Sequence, residues 1–275
     1  MSNMVSNIAR GILGRLTGKN RTANSHGLSW MKEKILKHQD DSTIKQVVLD
    51  NITVAYKRPY ELLHTYKEIF GRDIYLFKAG YENPTIIDCG ANIGISVLYL
   101  KSLYPDSDLI AFEPDEGNFE LLSKNAQLNR LQGLDLRKAA VWINNGTISF
   151  EGNETEASRI DEKKESGKQV QCQRLADLLE KVKHVDFLKI DIEGAEYEVI
   201  KDCAKHLSRV DNMFLEYHGK TNETYKLNEI LQIVRENGFA VYVQNAADTL
   251  EHPFVNKTTS TPFDVQLNLY CYKTN

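Results

Sequence analysis

The chain of 275 residues, 41% hydrophobic and 26% charged, can form one α/β domain with a sizeable core and a small appendage, and its composition is that of a soluble globular protein. A formal net charge of −4 gives no reason to expect nucleic acid as a partner. No apolar run approaches the roughly 20 residues that span a bilayer, the N-terminus lacks the apolar core of a secretory signal, and four scattered cysteines (Cys89, Cys172, Cys203, Cys271) lack zinc-type spacing and read as buried reduced thiols.

Residues 1–40 differ from the rest. Met4, Val5, Ile8, Ile12, Leu13 and Leu16 recur at helical spacing, beside Arg10, Arg15, Lys19 and Arg21. A basic amphipathic helix over residues 1–20 suits peripheral contact with an anionic membrane. The plainer expectation is a helix packed on its own domain or on a second copy in a homodimer. Asn20 to Gly27 reads as a linker, and the expected location is cytoplasmic, with membrane association resting on this segment alone.

Residues 41–83 form a helical and extended cap. Val47 to Val54 folds around Asp50-Asn51, and Pro59-Tyr60 opens a helix with Leu62, Leu63, Tyr66, Ile69 and Phe70 on one face. Gly71 ends it, and Ile74 to Phe77 reads as extended.

The domain proper, 84–275, begins with an apolar β-branched strand, Thr85–Asp88. Gly90 and Gly94 frame a tight turn into a helix from about Ile93 to Leu103, an order that sets a small ligand against a helix N-terminus. Glycine is expected there because a Cβ would keep the backbone away from the ligand. Strand Leu109–Glu113 follows, then a helix from Asp115 to Asn129 that Asp115 or Asn118 can cap, then strand Leu134–Val141. Glu113 lies where doubly wound folds place an acid on ribose hydroxyls, whereas Gly90-x-Asn92-x-Gly94 departs from the dinucleotide fingerprint and suits a nucleoside without phosphates.

Asn144-Asn145-Gly146 predicts a hairpin pairing Val141–Ile143 with Thr147–Phe150. The insertion 144–170, whose polar stretch runs from Glu151 to Lys168, reads as a substrate lid carrying Ser158 and Arg159. Beyond it come a short strand Val170–Cys172, a helix from Arg174 to Lys183, strand Phe187–Asp191, helix Ala195–Cys203, and strand Met213–Tyr217. A helix Tyr225–Asn237 precedes two strands, Ala240–Gln244 and Phe263–Tyr272, joined without a helix and therefore antiparallel at the sheet edge.

Asp88-Cys-Gly-Ala-Asn-Ile-Gly-Ile-Ser96, Phe112-Glu113-Pro114 and Asp186-Phe-Leu-Lys-Ile-Asp-Ile-Glu-Gly-Ala-Glu196 together resemble the FkbM-type S-adenosylmethionine-dependent methyltransferases. The resemblance covers Thr85 to His218 and implies an α/β, class I methyltransferase (Rossmann-like) three-layer sandwich with a mostly parallel seven-stranded sheet and an antiparallel edge strand. It implies O-methylation of a hydroxyl on a sugar, glycan or other natural-product acceptor, and a cap lying over the cofactor. Tyr60, Tyr66, Phe70 and Tyr75 are candidates to line that cap, with core packing an equal account.

For S-adenosylmethionine, Glu113 is expected on the ribose, Gly90, Ala91 and Gly94 around the methionine part, and Asp88, Asn92, Ala140 and Asp191 as further contacts. Asp191, Glu193 and His218 are the candidate catalytic residues, emerging at adjacent strand ends at the topological switch point, with His218 as general base. Glu216 joins Ser158 and Arg159 on the acceptor side; alternatively Asp191, Glu193 and Glu216 form a Mg²⁺ site that orients a sugar diol. Rival functions are a nicotinamide-dependent oxidoreductase on a similar sheet, or a non-catalytic methyltransferase-like binding module.

Overall fold

In the computed structural model, which describes residues 30–151, 159–160, 168–257 and 261–274, β10 (Val185–Ile190) is buried at every position and forms the middle of a seven-stranded sheet. A strand covered on both faces needs continuous apolar sequence, and here only Asp186 and Lys189 interrupt it. Its parallel neighbours are β3 (Thr85–Cys89) and β11 (Val210–Gly219). Then β4 (Asp108–Phe112) and β5 (Leu134–Arg137) extend the sheet beyond β3. Beyond β11 lie the antiparallel β13 (Val265–Lys273) and the edge strand β12 (Phe239–Ala247), giving the order β12-β13-β11-β10-β3-β4-β5.

Side chains alternate between two cores. Ile86, Phe187 and Phe214 face one, Ile87, Leu188 and Leu215 the other. The first core is completed by α3 (Ile95–Leu103), α4 (Glu116–Leu128) and the cap; the second by α5 (Leu175–Lys181), α6 (Glu196–Cys203) and α7 (Thr224–Glu236). Asp115 caps α4, its Oδ1 accepting the amide of Asn118 at 2.9 Å.

The cap comprises α1 (Trp30–Lys37), the hairpin β1 (Lys45–Leu49) and β2 (Ile52–Tyr56), and α2 (Pro59–Tyr66), which runs into a π-helical turn, Lys67–Gly71. Two asparagines, Asn125 of α4 and Asn129 at its C-terminal cap, hold it by mimicking a strand. Asn125 exchanges hydrogen bonds with the amide and carbonyl of Ala55 (2.6 and 3.0 Å), and Asn129 does the same with Thr53 (2.9 and 2.7 Å). Ile74–Phe77, expected to be extended, begins in a turn and joins no strand.

Two expectations need correction. The strand Leu134–Val141 is two strands in two sheets, because Ala139 N donates to Arg137 O (2.9 Å) in a three-residue turn that redirects the chain at Lys138 into β6 (Ala140–Trp142). The hairpin of β6 with β7 (Gly146–Glu151) does not form either. Instead β9 (Lys168–Arg174) lies between them, parallel to β6 and antiparallel to β7, and β8 (Arg159–Ile160) pairs on the far side of β7. The amphipathic segment 1–20, the linker Asn20 to Gly27, Ser158 and most of the expected lid fall outside the described residues.

Candidate active site

Registry sets the site. Cys89 pairs with both Ile190 and Phe112, so the segments after β3, β4 and β10 leave the sheet at one level, and β11, which runs on past Leu215, carries Glu216 and His218 just beyond it. The strand order reverses between β3 and β10, which opens a crevice there. The cap roofs it, leaving a cavity of about 720 Å³, within the range of small-molecule sites.

The loop after β3 is fixed by the protein on all sides. The amides of Gly90 and Ala91 donate to Phe112 O (3.1 and 2.9 Å), the amide of Asn92 to Glu113 Oε2 (2.8 Å), and Asn125 Nδ2 donates to Ile93 O (2.8 Å). Asn92 has a φ of +48°. A Cβ on Gly90 would lie 1.8 Å from Asp191 O, and Gly94 has a φ of +90°, so close backbone approach at one and a left-handed conformation at the other require glycine apart from any ligand.

Glu113 stands behind this wall rather than on it. Its oxygens accept the amides of Asn92 and Asp115 (2.8 and 2.9 Å), two residues that do line the cavity. Burial pushes its pKa up to about 7 against the opposing pull of those amides. Asp88 is likewise buried, not exposed to a ligand. Its Oδ2 accepts from Ser96 Oγ (2.5 Å), and its Oδ1 ion-pairs with Lys189 Nζ at 3.3 Å without hydrogen-bond geometry. Lys189 also meets Asp191 Oδ2 at 3.3 Å and donates to Gly90 O at 2.7 Å. Burial alone would lower its pKa, but Asp191 and Asp88 hold it well above the ordinary lysine value. Two carboxylates around one ammonium leave a net negative charge, presented to the cavity by Asp191.

His218 is corrected as the base. Its Nδ1 donates to Glu196 Oε1 (3.0 Å), and its Nε2 stands 3.6 Å from both Glu193 Oε2 and Glu216 Oε1. Burial opposes its charge, but Glu196, Glu193 and Asp191 outweigh burial and push its pKa up to about 10. Its side chain is buried behind the cavity wall, out of reach of an acceptor bound there, and the surrounding carboxylates favour its charged form. Glu196 is wholly buried and also accepts the amides of Ile192 (3.2 Å) and Gly194 (3.0 Å), which locks the turn that gives Glu193 its φ of +56°.

Glu193 and Glu216 are on the wall. Burial first, with Asp191 adding to it, pushes both carboxyls up to about 8 despite the imidazolium between them. Asp191, Glu193 and His218 present ligand atoms within 4.8 Å of one another, close enough to surround one metal ion.

The cavity thus unites Gly90, Ala91, Asn92, Asp191, Glu193 and Glu216 from the sequence-derived set. Gly94 and Ala140 are off it, Ala140 buried in β6, and Arg159 is described only as part of β8. Among the cap aromatics only Tyr75 reaches the wall. Tyr66 and Phe70 stack in the core at 4.7 Å, and Tyr60 is exposed. Sequence reasoning passed over Lys189, whose signal was a charge inside an otherwise apolar strand, and Glu68, which the π-helical turn carries to the wall. A more open groove of about 590 Å³ around Arg174, Asp177 and Asp202 contains none of the expected residues.

Residues 88–241 match the methyltransferase FkbM domain. The methyltransferase sdnD of Sordaria araneosa is 32% identical over 212 residues, 64% of this chain and 82% of that protein. The hexuronic acid methyltransferase AglP of Haloferax volcanii is 25% identical over 179 residues, 60% of this chain and 73% of its own length. Among solved structures, methyltransferase FkbM from Methylobacillus flagellatus matches with a TM-score of 0.50 and 18% identity over 75% of this chain. The chain spans about half (48%) of that protein, and the likeness is one of fold.

Proposed function

Since the chain belongs to the methyltransferase FkbM family, we propose that it transfers the methyl group of S-adenosylmethionine to a hydroxyl oxygen of a sugar or glycan. Family membership speaks against the oxidoreductase; the non-catalytic binding module is decided by the turnover test below. The observation that carries the reading is the acidic wall of Asp191, Glu193 and Glu216 facing the loop Gly90–Asn92 across one cavity.

The residues present fit the cofactor. An acid-rich cavity favours a ligand bearing sulfonium and ammonium charges. Glu113, behind the wall, fixes the amides of Asn92 and Asp115, which line the place where the ribose would sit. Asn92 and Ala91 would shape the nucleoside end, and Asp191 would hold positive charge at the methionine end. When bound, S-adenosylmethionine supplies an electrophilic methyl group.

The chain's remaining task is to hold the hydroxyl in line and take its proton as the new C–O bond forms. The Glu193–Glu216 pair is the better placed acceptor once it has lost its proton, since a carboxylate whose pKa is pushed up to about 8 is a stronger base than an ordinary one. Transfer should therefore rise as pH passes through about 8. His218 positions the pair and stays protonated throughout. The relative AglP, by its name, concerns a hexuronic acid, a sugar whose heteroatoms are all oxygen; this supports both the acceptor class and the atom.

The test is incubation with methyl-labelled cofactor and a panel of hexose and hexuronic acid glycosides. Label should enter a sugar as a base-stable ether. Label released by mild base would place the methyl on a carboxyl group instead, and transfer to amine acceptors alone would overturn oxygen chemistry.

A further inference from the structure

At the opposite end of the sheet, the register of β10 and β11 sets two carboxylates side by side. Val185 pairs with Val210 and Phe187 with Asn212, so Asp186 lies next to Asp211 on one face. Period two along β10 brings His184 to that same face. Adjacent like charges on neighbouring strands repel. Among the described residues, no lysine or arginine lies within 4.0 Å of either carboxylate, and the partner of both is His184, with Nε2 at 3.6 Å from Asp186 Oδ1 and 3.2 Å from Asp211 Oδ2.

Geometry distinguishes a simple ion pair from a ligand set. His184 Nε2 is sealed from solvent and has no hydrogen-bond partner, so a proton on it would point at no acceptor. Asp186 is buried and already oriented, its oxygens accepting the amides of Gly80 (3.3 Å) and Thr85 (3.0 Å). The ring of Tyr81 packs edge-on against His184 at 5.4 Å. All three ligand atoms fall within 4.8 Å of one another. Tetrahedral coordination with metal–ligand bonds of about 2.0–2.1 Å sets ligand atoms roughly 3.4 Å apart, close to both measured separations from the imidazole. One imidazole nitrogen with two carboxylate oxygens nearby is a donor set that suits zinc.

We infer that His184, Asp186 and Asp211 form a binding site for a zinc-type divalent ion, with water in the fourth position, that fastens the N-terminal ends of the two central strands. The site is independent of the methyl-transfer cavity.

Cobalt(II) is the probe, because its ligand-field absorption is intense only in a tetrahedral site. Full-length protein freed of metal by a chelator is titrated with Co²⁺ in four forms: wild type, His184→Gln, Asp211→Asn and Asp191→Asn. His184 and Asp211 are partly exposed, so both variants are expected to fold, and unchanged melting in chelator checks this. Wild type and Asp191→Asn should develop the absorption with one equivalent, and His184→Gln and Asp211→Asn should lose it. Zn²⁺ should raise the melting temperature of wild type and leave that of His184→Gln unmoved. No absorption in wild type, or absorption that survives His184→Gln or vanishes only in Asp191→Asn, would overturn the site.

Discussion

The carbonyl oxygen of Asp191 fills the space that a side chain on Gly90 would need, 1.8 Å from an ideal Cβ. The loop after β3 and the segment after β10 are thus mutually fitted through backbone. Gly90→Ala should cost at least about 2 kcal/mol, combining overpacking against main chain with the strain of a left-handed residue. Gly71→Ala, which meets nothing within 4 Å, should stay within about 1 kcal/mol. Denaturant unfolding of both variants checks the contrast.

Asn125 links the cap to the loop through Ala55 and Ile93. Asn125→Ala leaves three buried backbone groups without partners and should destabilise by about 2–3 kcal/mol. Amide exchange at Ala55 should accelerate, while exchange in β10 stays slow. Equal acceleration throughout would mean that the asparagine supports the whole domain and not the cap specifically.

His218 has a pKa raised from 6.5 to about 10, so its contribution to stability is fully present below about pH 6.5 and is lost as pH rises through 10. Glu193 and Glu216, raised to about 8, act in the same direction, because the folded state holds protons that the unfolded state releases above 4.5. Urea midpoints should therefore fall steadily between neutral and alkaline pH. His218→Ala should flatten that fall and cost about 3 kcal/mol near neutrality by stranding the buried Glu196.

Glu216→Gln removes a carboxylate from the wall while keeping its shape. Methyl transfer should drop by about 10²–10⁴-fold with cofactor affinity changed little, the pattern of a lost proton acceptor. A loss of cofactor affinity with unchanged turnover would assign Glu216 to the donor side instead.

Local signals in the sequence carried the central frame. Apolar runs, glycine turns and helix caps such as Asp115 lie within a few residues of what they organise, and the alternation of strands and helices allows few topologies. The features that were not legible depend on distant residues. Nothing near β6 announces that β9, some thirty residues on, will lie between it and β7. Asn125 and Ala55 are 70 positions apart. His218 looked like a base because an isolated imidazole titrates near neutrality; only the approach of Glu196, Glu193 and Glu216 from distant segments, which favours its charged form against burial, sets it apart. Glu113 was placed at the right strand end, but its grip on the amides of Asn92 and Asp115 needed coordinates.

The central claim is a nucleoside methyl donor seated between the Gly90–Asn92 loop and the acidic wall. Calorimetric titration with S-adenosylhomocysteine, repeated on Glu113→Ala and with NAD as control, tests it most directly. Binding in the micromolar range, lost in Glu113→Ala and absent for NAD, is the predicted result. Undiminished binding by Glu113→Ala, or binding of NAD in place of S-adenosylhomocysteine, would contradict it.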